Sequence, residues 1–291
     1  MRALAVPGAV VALVAASVVP YVRSTTTPDS PDAGHCLGWP AGRVEFHPNA
    51  AGAPGRGDAG FAALERALGS WEAQMQLCGN LTLTMGPRSA SRTVGFDDRR
   101  EAINENLVVF RTRLCSQVVA TGDSCLHDDS CANAYDCWDF SPGTLAITTT
   151  TYNTRTGKLY DADLEMNSAE HLFTTVDSPP CDGEVLPTCV SVDVQNTATH
   201  EFGHALGLAH SPDPRSTMFA GAAPGETSKR VLDDGSEEFV CTAYPQGTPS
   251  RDCDGSPIDL SEGGGSCSAA PVGLLGLVLA AARLGRRRRV G

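Results

Sequence analysis

Alternation and periodicity divide the middle of the chain into a series of elements. Val44 and Phe46 alternate with polar neighbours over Arg43–His47 and predict a first strand. From Asp58 the period changes: Phe61, Leu64, Leu68, Trp71 and Met75 fall on one stripe of a helix that ends near Cys78-Gly79. Leu81, Leu83 and Met85 alternate as a second strand, stopped by Gly86-Pro87. Leu107–Phe110 is a short apolar run suited to a strand covered on both faces. Thr144–Tyr152, dense in β-branched residues, predicts a fourth strand, and Asn153–Lys158 a turn. Leu159–Met166 follows as a fifth, with Tyr160, Ala162, Leu164 and Met166 set against Asp161, Asp163 and Glu165. That acidic side reads either as a solvated strand face or as a set of Ca²⁺ ligands. Val194, Ala198, Phe202 and Ala205 give the next helix an apolar back, and a last helix runs from near Ser236 to Tyr244, where Pro245 stops it.

The helix with that apolar back carries His200-Glu-Phe-Gly-His-Ala-Leu-Gly-Leu-Ala-His210. His200 and His204 stand four apart, so both imidazoles leave one face and can share a Zn²⁺ ion. Gly207 can take a left-handed conformation that ends the helix and lets the chain return with His210 as a third ligand. Three neutral nitrogens leave one zinc position open, which is a catalytic arrangement rather than a closed structural one. Glu201 lies one residue round from the ligand face, placed to act on water as a general base.

Composition sets the surroundings. A chain of 291 residues, 41 % hydrophobic and 19 % charged, can bury one sizeable core. Eleven cysteines indicate disulfides and an oxidising compartment. The intervals between Cys115, Cys125, Cys131 and Cys137 do not fit paired zinc ligands and indicate a stapled loop; Cys181 and Cys189 would close another. Residues 1–23 have the charged, apolar and polar order of a signal peptide, with Ala15-Ala16-Ser17 a candidate cleavage region. Residues 24–34 read as a flexible leader, 35–246 as the catalytic domain and 247–266 as a linker. Beyond Cys267 an apolar segment, Ala269–Ala282, precedes Arg283 and Arg286–Arg289. Setting those five arginines and Arg2 aside takes the formal charge from −12 to −18, which argues against nucleic acid or anionic lipid as partners.

From about Trp39 to Tyr244 this order of elements, with the eleven-residue motif, Ser211 after the third histidine, and Met218 eight residues beyond His210, resembles a matrixin-like metzincin peptidase. Thr148–Tyr152 followed by Gly157–Asn167 is similar to the paired edge strands of bacterial and archaeal matrixin-like proteins. The resemblance implies an α+β metzincin fold: a twisted mixed five-stranded sheet, an active-site helix, a methionine turn at Met218 beneath the histidines, and a C-terminal helix. Ala220 stands where some metzincins have a tyrosine that approaches the metal, so no tyrosine switch is expected. No PRCG-type pro-segment cysteine precedes the domain; Cys36 is the one candidate, and a disulfide to Cys78 is the expectation for it. Residues 267–291 resemble myxobacterial C-terminal sorting tails of the MYXO-CTERM kind, with Cys267 as the sorting cysteine.

The combined expectation is an exported or surface-displayed zinc endopeptidase, a monomer, with proteins or peptides as substrates and cell-envelope sorting machinery as partner. An extended substrate would lie antiparallel to the edge strand near Leu145–Thr151. The alternative is an adhesion or binding module on the same scaffold; the intact Glu201 speaks for the enzyme.

Overall fold

The computed structural model describes residues 21–28, 30, 33–99, 102–127 and 130–260, and the backbone of strands at 267–272 and 278–279. The first twenty residues of the expected signal peptide, Asp128, Asp129, the glycine-rich stretch at 263–265, the side chain of Cys267 and the terminal arginines lie outside them. The elements are β1 (Val22–Arg23), β2 (Gly42–Pro48), α1 (Asp58–Cys78), β3 (Leu81–Met85), β4 (Asn106–Arg111), α2 (Cys115–Val118), α3 (Cys131–Tyr135) and β5 (Ala146–Asn153). They continue with β6 (Leu159–Asn167), β7 (Phe173–Thr174), β8 (Val192–Asp193), α4 (Val194–Ala205), β9 (Leu208–Ala209), β10 (Gly221–Ala222), α5 (Asp234–Ala243) and β11 (Cys267–Val272).

The architecture is α+β. Five strands run in the order β3-β2-β4-β6-β5, the first four parallel and β5 antiparallel to β6, with β11 antiparallel on the outer side of β5. The alternation read in the sequence sorts the side chains: Val44, Phe46, Phe110, Ala162, Leu164 and Met166 enter one core with the stripe of α1 and the apolar back of α4. Phe46 meets Phe202 edge to face at 4.9 Å, and Trp71 Nε1 donates to Thr199 O at 2.9 Å, so α1 and the sheet fix α4 from two sides. Full burial of a phenylalanine contributes roughly 1.5–3 kcal/mol of transfer free energy.

The opposite face of the sheet overturns the expectation of a solvated acidic strand. Asp161, Asp163 and Glu165 are all buried. Glu165 accepts from the wholly buried Arg111 at 2.6 Å, and Arg111 also donates to Asp136 and Asn133 in the cysteine-rich segment. That segment is stapled by Cys115–Cys137 and Cys125–Cys131, as the cysteine intervals indicate. Asp163 accepts from the Leu107 and Gly95 amides, whereas Asp161 Oδ2 is buried without a hydrogen-bond partner among the described residues. Nor does the pair gather a third carboxylate, histidine or cysteine into a ligand set among the described residues.

Burial pushes Asp161 up to about 6 and, together with the Asp161 charge, raises Asp163 well above its ordinary value. A raised carboxyl favours the fold below its unfolded pKa, near 4, and that contribution is lost as pH climbs through about 6. Asp161→Asn is expected to flatten this fall, gaining on the order of 2 kcal/mol over the parent between pH 4 and pH 7. Thermal unfolding at pH 4, 5.5 and 7 checks it; a variant that tracks the parent at every pH refutes the linkage.

Both ends of the domain extend past the boundaries that composition suggests. β1 pairs with β9, so Val22 and Arg23, expected at the end of the signal peptide, belong to the folded body. Ser24 and Thr25, expected in a flexible leader, are buried. Ser250, Asp252 and Ile258, expected in a linker, are buried too. The expected Cys36–Cys78 bond gives way to Cys36–Cys253 and Cys78–Cys241, because the end of α1 packs beside α5 while residues 250–258 return over the start of the domain. Cys36 is therefore not a free thiol. Cys181–Cys189 forms as expected. No helix among the described residues is long and apolar enough to cross a membrane.

Candidate metal centre

The helix that carries the motif is anchored at both ends. Asp193 caps its start, accepting from the Asn196 amide at 2.7 Å, and is gripped by Arg230 through Nε at 2.9 Å and Nη2 at 2.6 Å. At the other end two orphan carbonyls find side-chain donors: Ala205 O takes Trp39 Nε1 at 2.8 Å, and Leu206 O takes the Tyr244 hydroxyl at 2.6 Å. Gly207 then turns the chain with φ +101°, and a Cβ there would stand 2.4 Å from Leu37 O. Both the conformation and the close approach require glycine.

His210 is thereby returned to the other two histidines. The Nε2 atoms of His200 and His204 lie 3.1 Å apart, those of His204 and His210 3.1 Å, and those of His200 and His210 3.3 Å. The remaining ring nitrogens of the helical pair face carbonyls: His200 Nδ1 meets Thr217 O at 2.7 Å, and His204 Nδ1 meets Leu208 O at 2.8 Å. A carbonyl only accepts, so each Nδ1 carries the proton and each Nε2 turns a lone pair toward the centre. Burial, then the neighbouring imidazoles, hold His200 well below its usual range. The same two causes bring His204 down to about 3, and burial brings His210 down to about 4. Three neutral lone pairs aimed at one point repel unless a cation stands between them. Their spacing is close to that of tetrahedron corners about 2 Å from a common centre, the distance zinc takes to imidazole nitrogen. The donor set fits zinc.

Glu201 is 1 % exposed. Its Oε2 accepts from Thr148 Oγ1 at 2.7 Å, and its Oε1 is buried with no hydrogen-bond partner among the described residues. Burial pushes this carboxyl up to about 8, against the opposing pull of the Thr148 hydrogen bond.

Residues 127–244 match the family model described as Matrixin. Over that stretch the chain is similar to matrixins, a family of metallopeptidases. The matched stretch holds β5, β6, α4 and α5, the three histidines and Glu201.

Within the matched stretch Met218 is buried against α4, and Gly203 makes the fit possible. A Cβ on Gly203 would lie 2.3 Å from Met218 Sδ and 3.0 Å from Trp71 Cζ2. The turn is closed by Ser211 N donating to Met218 O at 2.8 Å. Asp233 props it from α5, accepting from Thr217 N at 2.9 Å and Ser216 Oγ at 3.2 Å while capping its own helix. The sequence pattern does not reveal the parts that Thr148, Gly203, Thr217 and Asp233 play in the site. Of these only Asp233 leaves a local signal, an aspartate just before a helix; the others act through partners distant in sequence.

Proposed function

We propose that this chain is an exported, zinc-dependent endopeptidase acting on extended segments of extracellular proteins. The observation that carries the reading is the convergence of three neutral imidazoles beside a buried carboxylate with one unsatisfied oxygen. His200, His204 and His210 would hold the ion through Nε2. Zinc bound there would supply a Lewis acid that polarises a peptide carbonyl and lowers the pKa of water. Glu201 handles the proton. With Oε2 held by Thr148, Oε1 is the atom free to take a proton from the attacking water and give it to the leaving amine. Met218 and Gly207 support the histidines without touching the reacting atoms. The substrate main chain would add to the edge of β5 near Leu145–Thr151. Supporting this, the backbone of residues 267–272 pairs with that edge in the antiparallel sense, from Cys267 opposite Asn153 to Val272 opposite Thr148. Five disulfides among the described residues support an oxidising, extracellular setting.

Purified protein is expected to carry about one zinc per chain. Chelation should abolish cleavage of an unstructured protein, and added zinc should restore it. Metal analysis and a proteome-derived peptide digest on the same samples provide the check; cleavage indifferent to chelation, or protein with no affinity for zinc, overturns the reading.

A further inference from the structure

The carbonyl of Leu208 has two donors. One is His204 Nδ1 at 2.8 Å; the other is Ser24 Oγ at 3.1 Å, from a residue 184 positions upstream. Ser24 also donates from its amide to Gly207 O at 2.8 Å, and its own carbonyl accepts from Leu37 N at 2.8 Å. The residues before it form the β1 pair with β9, Val22 opposite Ala209 and Arg23 opposite Leu208. Arg23 donates to Leu37 O and to Arg251 O, and Tyr21 rests on the Phe239 ring at 5.8 Å between centroids. Residues 21–24 thus form a strap over the two-residue strand that joins the helix-ending glycine to the third histidine.

We infer that this strap is part of the metal centre, with Ser24 as a positioning residue that acts on His204 through Leu208 O. The argument is geometric. The Nδ1–H bond to a carbonyl fixes the tautomer and the rotation of an imidazole ligand. That carbonyl belongs to β9, which has only two residues and whose paired strand is β1. Without the strap, no other sheet pairing among the described residues holds the peptide plane of Leu208 or the path to His210. The hydroxyl of Ser24 shares the acceptor without displacing the imidazole, because a carbonyl oxygen has two lone pairs. Removal of an export signal must then stop before Tyr21, since a cut after Arg23 would take β1 away. The inference rests on the three histidines being metal ligands.

Ser24→Ala and Ser24→Thr in the full chain, and chains beginning at Tyr21 or at Thr25, test it. The readouts are zinc affinity by competition with a chromophoric chelator and the visible spectrum of the cobalt-substituted protein, with His204→Ala as control. Ser24→Ala is expected to weaken zinc binding about tenfold and shift the cobalt bands, at unchanged far-ultraviolet circular dichroism. The threonine variant should recover most of the loss, since it keeps the hydroxyl. The chain from Tyr21 should bind like the parent and the chain from Thr25 at least tenfold more weakly; if the latter fails to fold, the single substitutions decide. Parental affinity and spectrum in Ser24→Ala, with the loss confined to His204→Ala, sink the strap and leave the histidine site standing. Parental affinity in His204→Ala sinks the site itself.

Discussion

Glu201→Gln is expected to bind zinc as the parent does and to cleave peptides about 10³-fold more slowly or worse, the scale set by losing a general acid and base. The amide is nearly the shape of the carboxyl, and its oxygen can still accept from Thr148, whose hydroxyl lies 2.7 Å from Oε2. It cannot take a proton at the Oε1 position. Glutamine is nearly isosteric and carries no charge into this buried position, so the variant should unfold at a temperature no lower than the parent. Initial rates on an unstructured protein, with zinc content and unfolding temperature on the same preparations, give the check. If the variant matches the parental rate, Glu201 is not the proton carrier.

Gly207→Ala should destabilise the fold strongly for one added methyl group. Its φ of +101° disfavours any residue with a Cβ, and the added atom would stand 2.4 Å from Leu37 O. Leu37 has little room to retreat: its amide is bonded to Ser24 O, its carbonyl takes Arg23, and its neighbour Cys36 is tied to Cys253. A loss of about 3 kcal/mol is expected, which for a domain of this size lowers the unfolding temperature by roughly 6–12 °C. Zinc affinity should fall with it, since the turn delivers His210. Calorimetry and the chelator competition provide the measurements; unfolding at the parental temperature contradicts the account.

What the sequence disclosed, and what it hid, follows from the range of each interaction. The stripe of α1 and the back of α4 are periodic within one element, and Phe61, Leu64, Leu68, Trp71 and Met75 are all buried as the spacing requires. The histidine motif is equally local, confined to eleven residues and one turn. Alternation in β6 showed a strand but not what would cover its acidic side. That depends on a loop and a disulfide knot docking from elsewhere, and Arg111 beside Glu165 is visible only once they have. Cysteine pairing depends on which helix ends meet, so in place of the expected Cys36–Cys78 bond the fold joins Cys36 to Cys253 and Cys78 to Cys241. The strap is two residues of backbone pairing in a polar, proline-containing stretch, with no hydrophobic period to reveal it.

The disulfides are nested. Cys36–Cys253 encloses Cys78–Cys241, and the three remaining bonds lie inside both. Any one peptide-bond cut between residues 36 and 253 therefore leaves two fragments that are still covalently joined. A peptidase working among copies of itself would accumulate such nicks without coming apart, and they would show on a gel only after reduction. Integrity judged under non-reducing conditions would overstate the fraction of unbroken chains.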